Sequence, residues 1–318
     1  MSSGDSIRSF AREVGFDLVG FASATRMGEE GARLEEWLAR GYHGSMQWLA
    51  SNVEKRVDVR ELLPSARSVI VVARNYYTPH QHSDAPDAAK ISRYAWGRDY
   101  HRILPKKLRA IEEHIRTIDP SVESRSWVDT GPIMEKQWAV RAGLGWMGKH
   151  SNVITRQLGS WVFLGVILTS LELDADEPIP DFCGSCTRCL DACPTGAIVE
   201  PYVVDGSRCI SYVTIEQKPK LEIAPELGER LEGWAFGCDI CQDVCPWNRF
   251  EQPTDEPSFE PRDGMLDLTV ETLRTMSDEE FLERFAGTPV MRAKADGMRR
   301  NARAIAAGER VSSGRAEE

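Results

Sequence analysis

CGSCTRCLDACP, residues 183–194, decides how the whole chain is read. Cys183, Cys186, Cys189 and Cys193 are separated by two, two and three residues, and Pro194 follows. This is the spacing of bacterial ferredoxins. Three thiolates two residues apart wrap a short loop around three corners of a cubane. The fourth points away and ligates a neighbouring cluster. A second run, CDICQDVCPWN (238–248), repeats the end of the pattern in Cys238, Cys241, Cys245 and Pro246, with Ala235 where its first cysteine belongs. Cys209 is the one cysteine left over. The crossing rule assigns Cys183, Cys186, Cys189 and Cys245 to one [4Fe–4S] cluster and Cys193, Cys209, Cys238 and Cys241 to the other. Zinc is the competing reading, because CxxC pairs also make zinc sites. A structural, non-relaying cluster pair is the plainer alternative.

All eight cysteines of the 318-residue chain lie in this segment, none in the first 182 residues or the last 73. Disulfides of a secreted protein would be scattered; thiols packed together point to metal. The formal charge of −10 lends nothing to a protein whose only work is gripping nucleic acid. Met1 to Phe21 hold no signal-peptide core, and the longest strongly apolar run, Trp161 to Leu168, is too short to span a bilayer. A soluble cytoplasmic protein is expected.

Outward from the cysteines, the acidic, proline-containing stretches Glu172 to Asp181 and Glu251 to Asp263 read as linkers. They predict three units: residues 1-175, 176-252 and 253-318. The first mixes helix and strand signals. Gly31 to Arg40 is amphipathic, and Leu104, Leu108, Ile111, Ile115 and Ile118 step at helical spacing with Pro105 in the first turn. Ser68 to Ala73, Arg125 to Val128 and Trp161 to Leu168 read as strands, and Ile133 to Ala142 as a helix. The fold class is α+β: an N-terminal α/β layer unit, a ferredoxin-like module with two clusters, and a short helical tail. In that tail Arg292, Lys294, Arg299, Arg300 and Arg303 form either a nucleic-acid contact or a solvated helix face.

GLGWMG (143–148) matches the dinucleotide fingerprint G-x-G-x-x-G, but that motif must follow a strand and open a helix. Here it follows a helix signal and leads toward a strand. A Rossmann site is rejected, and a helix C-terminus with glycine in the left-handed conformation is predicted instead.

Several blocks in order along the chain resemble the epoxyqueuosine reductase family (QueG): RYAWGRDYH (93–101), VDTGP (128–132), GLGWMGKHS (143–151), CDICQDVCPWN (238–248) and FAGTP (285–289). The resemblance implies a base-off cobalamin in the N-terminal unit beside the two [4Fe–4S] clusters. It also implies reduction of epoxyqueuosine to queuosine at the wobble position of a tRNA anticodon. Electrons would come from an external flavodoxin- or ferredoxin-type reductant. Longer members carry a HEAT-like helical extension, of which this tail would be the start. The protein is expected to act as a monomer away from membranes. The family's acid corresponds to Asp129; by position alone Asp129 reads as a turn or capping residue before Pro132. Arg93, Tyr100, Asp129, Lys149, His150 and Ser151 are the expected corrin or substrate contacts. His101 is not a cobalt ligand on this reading, because Leu104 stands where D-x-H-x-x-G requires glycine. A reductive dehalogenase-like enzyme and a non-catalytic electron carrier are the alternatives.

Overall fold

The computed structural model describes residues 2–315, with side chains described to residue 308. The N-terminal half is built on one sheet. Its strands are β1 (Leu18–Ser23), β2 (Ser68–Asn75), β3 (Ser124–Trp127) and β4 (Val162–Thr169), in the spatial order β1-β2-β4-β3. Every pairing is antiparallel. The expected α+β class therefore takes a specific form: helices laid on an antiparallel sheet.

Side-chain alternation explains why the central strands read as unbroken apolar runs. On β2, Ile70 and Val72 face one layer while Val69, Val71 and Ala73 face the other. On β4, Phe163 and Ile167 join the first layer, Val166 and Leu168 the second. Both faces are covered, so all eight residues of β2 are buried and no polar alternation survives. Helix α1 (Ser3–Glu13) supplies Ile7 and Ala11 to the first layer, and the long helix Leu104–Ile118 supplies Leu104, Leu108, Ile111 and Ile115. Trp138 and Ala139 of the helix Glu135–Arg141 seal the second. That helix ends at Gly143, whose φ of 68° is the left-handed cap expected of the GLGWMG stretch.

A second core lies elsewhere. It gathers Ile91, Ala95 and Trp96 from the first half, Ile210, Val213, Trp234 and Phe236 from the cysteine segment, and Leu273, Phe281, Met298 and Ala302 from the tail. The tail comprises Val270–Thr275, Asp278–Phe285 and Lys294–Arg315. The short strand Lys90–Ile91 pairs in parallel with Trp234–Phe236, stitching the two halves together. Among the described residues, no helix is long and apolar enough to cross a membrane.

The tail's cations are not a free basic face. Arg300 is 1% exposed and donates to the carbonyls of Val213, Gln217, Lys218 and Leu221. Arg299 pairs with Asp278 and Asp296, Arg292 with Glu216, and Arg303 with Glu222 at 3.8 Å. The expectation that Arg300 contacts tRNA phosphate is corrected: a buried guanidinium cannot reach one.

Candidate active site

The two cysteine runs fold onto one another. The helical turns Arg188–Asp191 and Ile240–Asp243 pack together, each carrying thiols of one run. Burial pushes the Cys189 thiol up to about 11, and the sulfurs that add to the effect are Cys183, Cys245 and Cys186. Burial likewise raises Cys209, with Cys193 as its neighbouring sulfur, and Cys238, with Cys241 and Cys209. Cys245 thus has Cys183, Cys186 and Cys189 as neighbouring sulfurs, while Cys193 and Cys209 neighbour Cys241. Cys241 feels Cys209 and Cys193 but also Cys189, so the two groups adjoin. Thiolates so buried and crowded need positive charge to offset them, which cluster iron provides. Among the described residues, no three Cys, His, Asp or Glu side chains gather as ligands of a single ion.

The lining also suits a cluster. Trp146 is buried against Cys183 and Cys245, and its Nε1–H meets no acceptor among the described residues other than the Cys183 sulfur beside it. Burial raises the Cys183 thiol, while the Lys149 amide and the Trp146 indole beside it act in the opposite direction. Such N–H groups suit cluster sulfur. The Lys149 ammonium donates to the carbonyls of Gly184 and Cys186 at 2.7 and 2.9 Å, clamping the first cysteine loop.

Three polar residues of the second run bind it to the rest of the chain. Buried Asp239 accepts from Ser92 Oγ and from Arg93 N–H at 2.7 Å. Asn248 Oδ1 accepts from Ser160 N–H at 2.7 Å, and Gln242 Nε2 donates to the Ser160 carbonyl at 3.1 Å. Asp239, Gln242 and Asn248 belong to the CDICQDVCPWN block, but their partners lie far away in the sequence.

The candidate acid lies near the second thiol group, with its side chain 67% exposed. Asp129 follows strand β3 and has a φ of 52°. Tyr100 Oη donates to its Oδ2 at 2.8 Å, and its own N–H donates to Glu135 Oε1 at 2.6 Å. His101 Nε2 stands 3.9 Å from Asp129 Oδ2, while its Nδ1 bonds Asp99 at 2.8 Å. His101 thus flanks the acid. Burial and the Asp129 charge push the Glu135 carboxyl up to about 8. Lys136 is solvent-exposed, yet its ammonium is depressed by burial and feels Asp129, Cys241, Cys209 and Glu135 around it. Tyr94, partly exposed, has its phenol raised by burial and by Asp129 and Asp239.

The expected contacts divide accordingly. Tyr100 and Asp129 lie together, joined by a hydrogen bond. Arg93 is buried, its guanidinium taken up by the carbonyls of Thr78 and His80 and stacked over Tyr77, Trp96 and Trp161. Lys149 is occupied at the cysteine loop. Ser151 Oγ donates to the Tyr202 carbonyl, and the Ser151 carbonyl accepts from Lys136 Nζ at 2.9 Å. His150 is buried, and burial lowers it to about 4, so it is neutral near pH 7. Its Nδ1 accepts from Asn152 N–H, while Nε2 finds no partner among the described residues. Glu135, Lys136 and Tyr94 were not anticipated. A carboxylate and a lysine six and seven places after the candidate acid were the only available signal.

Comparison with known proteins follows this division. Residues 56–130 match the family described as epoxyqueuosine reductase QueG, DUF1730, and residues 182–248 a 4Fe-4S double cluster binding domain. An epoxyqueuosine reductase of Synechocystis sp. is 53% identical over 283 residues, covering 89% of this chain and 97% of that protein. A solved epoxyqueuosine reductase holding a tRNA-Tyr epoxyqueuosine-modified stem loop superposes with a TM-score of 0.87 at 32% identity, over 95% of this chain and 80% of that one. The Bacillus subtilis epoxyqueuosine reductase, solved with its catalytic loop swung out, gives 0.88 at 30% identity, over 97% and 82%.

Proposed function

The chain belongs to the epoxyqueuosine reductase family, and from that premise we propose that Asp129 is the acid of a two-electron reduction of epoxyqueuosine in tRNA, fed by the two clusters. Removing an epoxide oxygen as water leaves an alkene and takes two electrons and two protons. The observation that carries the reading is that the Lys136 ammonium feels both the Asp129 carboxylate and the sulfurs of Cys241 and Cys209. Proton source and electron outlet then face the same substrate.

The residues gathered near Asp129 also suit a cobalamin. Tyr94, Glu135 and Lys136 are polar groups that solvent reaches, and with Tyr100 and His150 they would border the group. Bound there, cobalamin supplies low-valent cobalt as the two-electron reductant. The protein's own residues do the rest. Tyr100 orients the Asp129 carboxyl through its hydroxyl. Asp129 gives its proton to the departing oxygen. His101, fixed by Asp99, flanks that carboxyl at 3.9 Å.

The three segments 1-175, 176-252 and 253-318 are proposed as catalytic, electron-delivering and supporting units. A flavodoxin- or ferredoxin-type protein is the proposed reductant, and a cytoplasmic monomer the working form, since the substrate is tRNA. Asp129→Asn keeps the shape and removes the proton. It is expected to cut turnover at least about a hundredfold, the usual scale for losing a general acid. Iron and corrinoid content should match the wild type. Full turnover in that variant overturns the assignment.

A further inference from the structure

Asp129 is held in an expensive conformation by very little. Left-handed backbone is disfavoured for a residue with a Cβ, and Asp129 adopts it at φ 52°. Among the described residues, no backbone–backbone hydrogen bond engages the amides of Val128 to Ile133. The turn instead rests on two features. At Gly131 a Cβ would come within 2.3 Å of the Trp127 ring, so the chain lies flat on that indole. The other is Glu135, the first residue of the following helix, whose side chain reaches back to take the Asp129 N–H at 2.6 Å.

We propose that Glu135 is the positioning residue that latches the Asp129 turn in its productive conformation by accepting the Asp129 backbone N–H. This rests on the reading of Asp129 as the acid. Tyr100 fixes where the carboxyl points, and Glu135 fixes the backbone from which it projects. A carboxyl kept largely protonated near pH 7 adds a second advantage: it accepts the N–H without placing a full negative charge beside Asp129 or near an anionic RNA.

The test compares Glu135→Gln and Glu135→Ala in the cluster-loaded, cobalamin-supplied enzyme with an epoxyqueuosine-bearing stem loop. Gln keeps an acceptor oxygen and should hold kcat within about threefold. Ala removes it and should lower kcat about tenfold or more, as loss of one well-formed hydrogen bond predicts, with KM for the stem loop within about twofold. Iron content and cluster EPR should not change. If Ala loses iron, Glu135→Met, which fills the volume without an acceptor, replaces it. Equal loss in Gln and Ala, or wild-type kcat in Ala, overturns the latch. Asp129→Asn in the same assay keeps the two readings apart. If it is inactive while Glu135→Ala is fully active, only the latch fails. If it is active, the acid itself is wrong.

Discussion

Trp146 shows how one atom can matter at the residue scale. Its ring is held edge-on to Trp247 and Phe182, so packing fixes the indole beside Cys183 and Cys245. The N–H then has one purpose left, since nothing else among the described residues accepts it. Donation to cluster sulfur stabilises the reduced, more negative cluster and raises its potential. Trp146→Phe keeps most of the packing and deletes the donor. It should make the potential of one cluster more negative by about 59 mV, tenfold in a one-electron equilibrium, and leave the other unmoved. A redox titration followed by EPR reads both. No shift in either cluster would mean that the indole only packs.

At the scale of elements, the helix Lys294–Arg315 is a clamp on the cluster module. Arg300 gathers four carbonyls around the π-helical turn Tyr212–Glu216, and Asn301 Nδ2 donates to the carbonyls of Thr214 and Ala235 at 2.8 Å. Those segments lie next to Cys209 and Cys238. Arg300→Met should leave the carbonyls buried and unpaired, costing about 3 kcal/mol or more, seen as a lower unfolding midpoint and faster iron loss. Arg300→Lys should rescue little, because one ammonium cannot fork to four acceptors. A midpoint equal to wild type for Arg300→Met would deny the clamp. This face was partly legible: Met298, Ala302 and Ile305 form an apolar stripe that puts Arg300 and Asn301 near the inside. Counting basic residues along the tail obscured it, since charge count ignores which face a residue occupies. The helices and strands of the first half were readable because their periodicities are local. The clamp of Lys149 on Gly184 and Cys186 was not, because its partners are more than thirty residues away and are backbone carbonyls that any sequence supplies.

For the whole molecule, the interleaving proposed for two distant cysteine runs is the organising idea, and it comes from the sequence by counting. Two cubanes take eight thiolates, so Cys209, outside any motif, had to belong to one of them. Its sulfur lies with Cys193, sixteen positions earlier, and with Cys238, twenty-nine positions later. What the sequence withheld was the docking of this module onto the sheet through Asp239, Gln242 and Asn248, and the gathering of Glu135 and Lys136 beside Asp129, because both depend on where loops meet. The crossing makes a prediction about additivity. Residues serving one cluster should not add their losses, and residues serving different clusters should. Cys193→Ala and Cys209→Ala should each remove about four of about eight irons, and the double variant should remove no more than either alone. Cys193→Ala with Cys245→Ala should strip both clusters, although each of those cysteines is the last of its own run. Iron analysis of anaerobically prepared variants decides the matter. If instead Cys245→Ala and Cys241→Ala prove non-additive, each run holds its own cluster and the route from reductant to substrate must be redrawn.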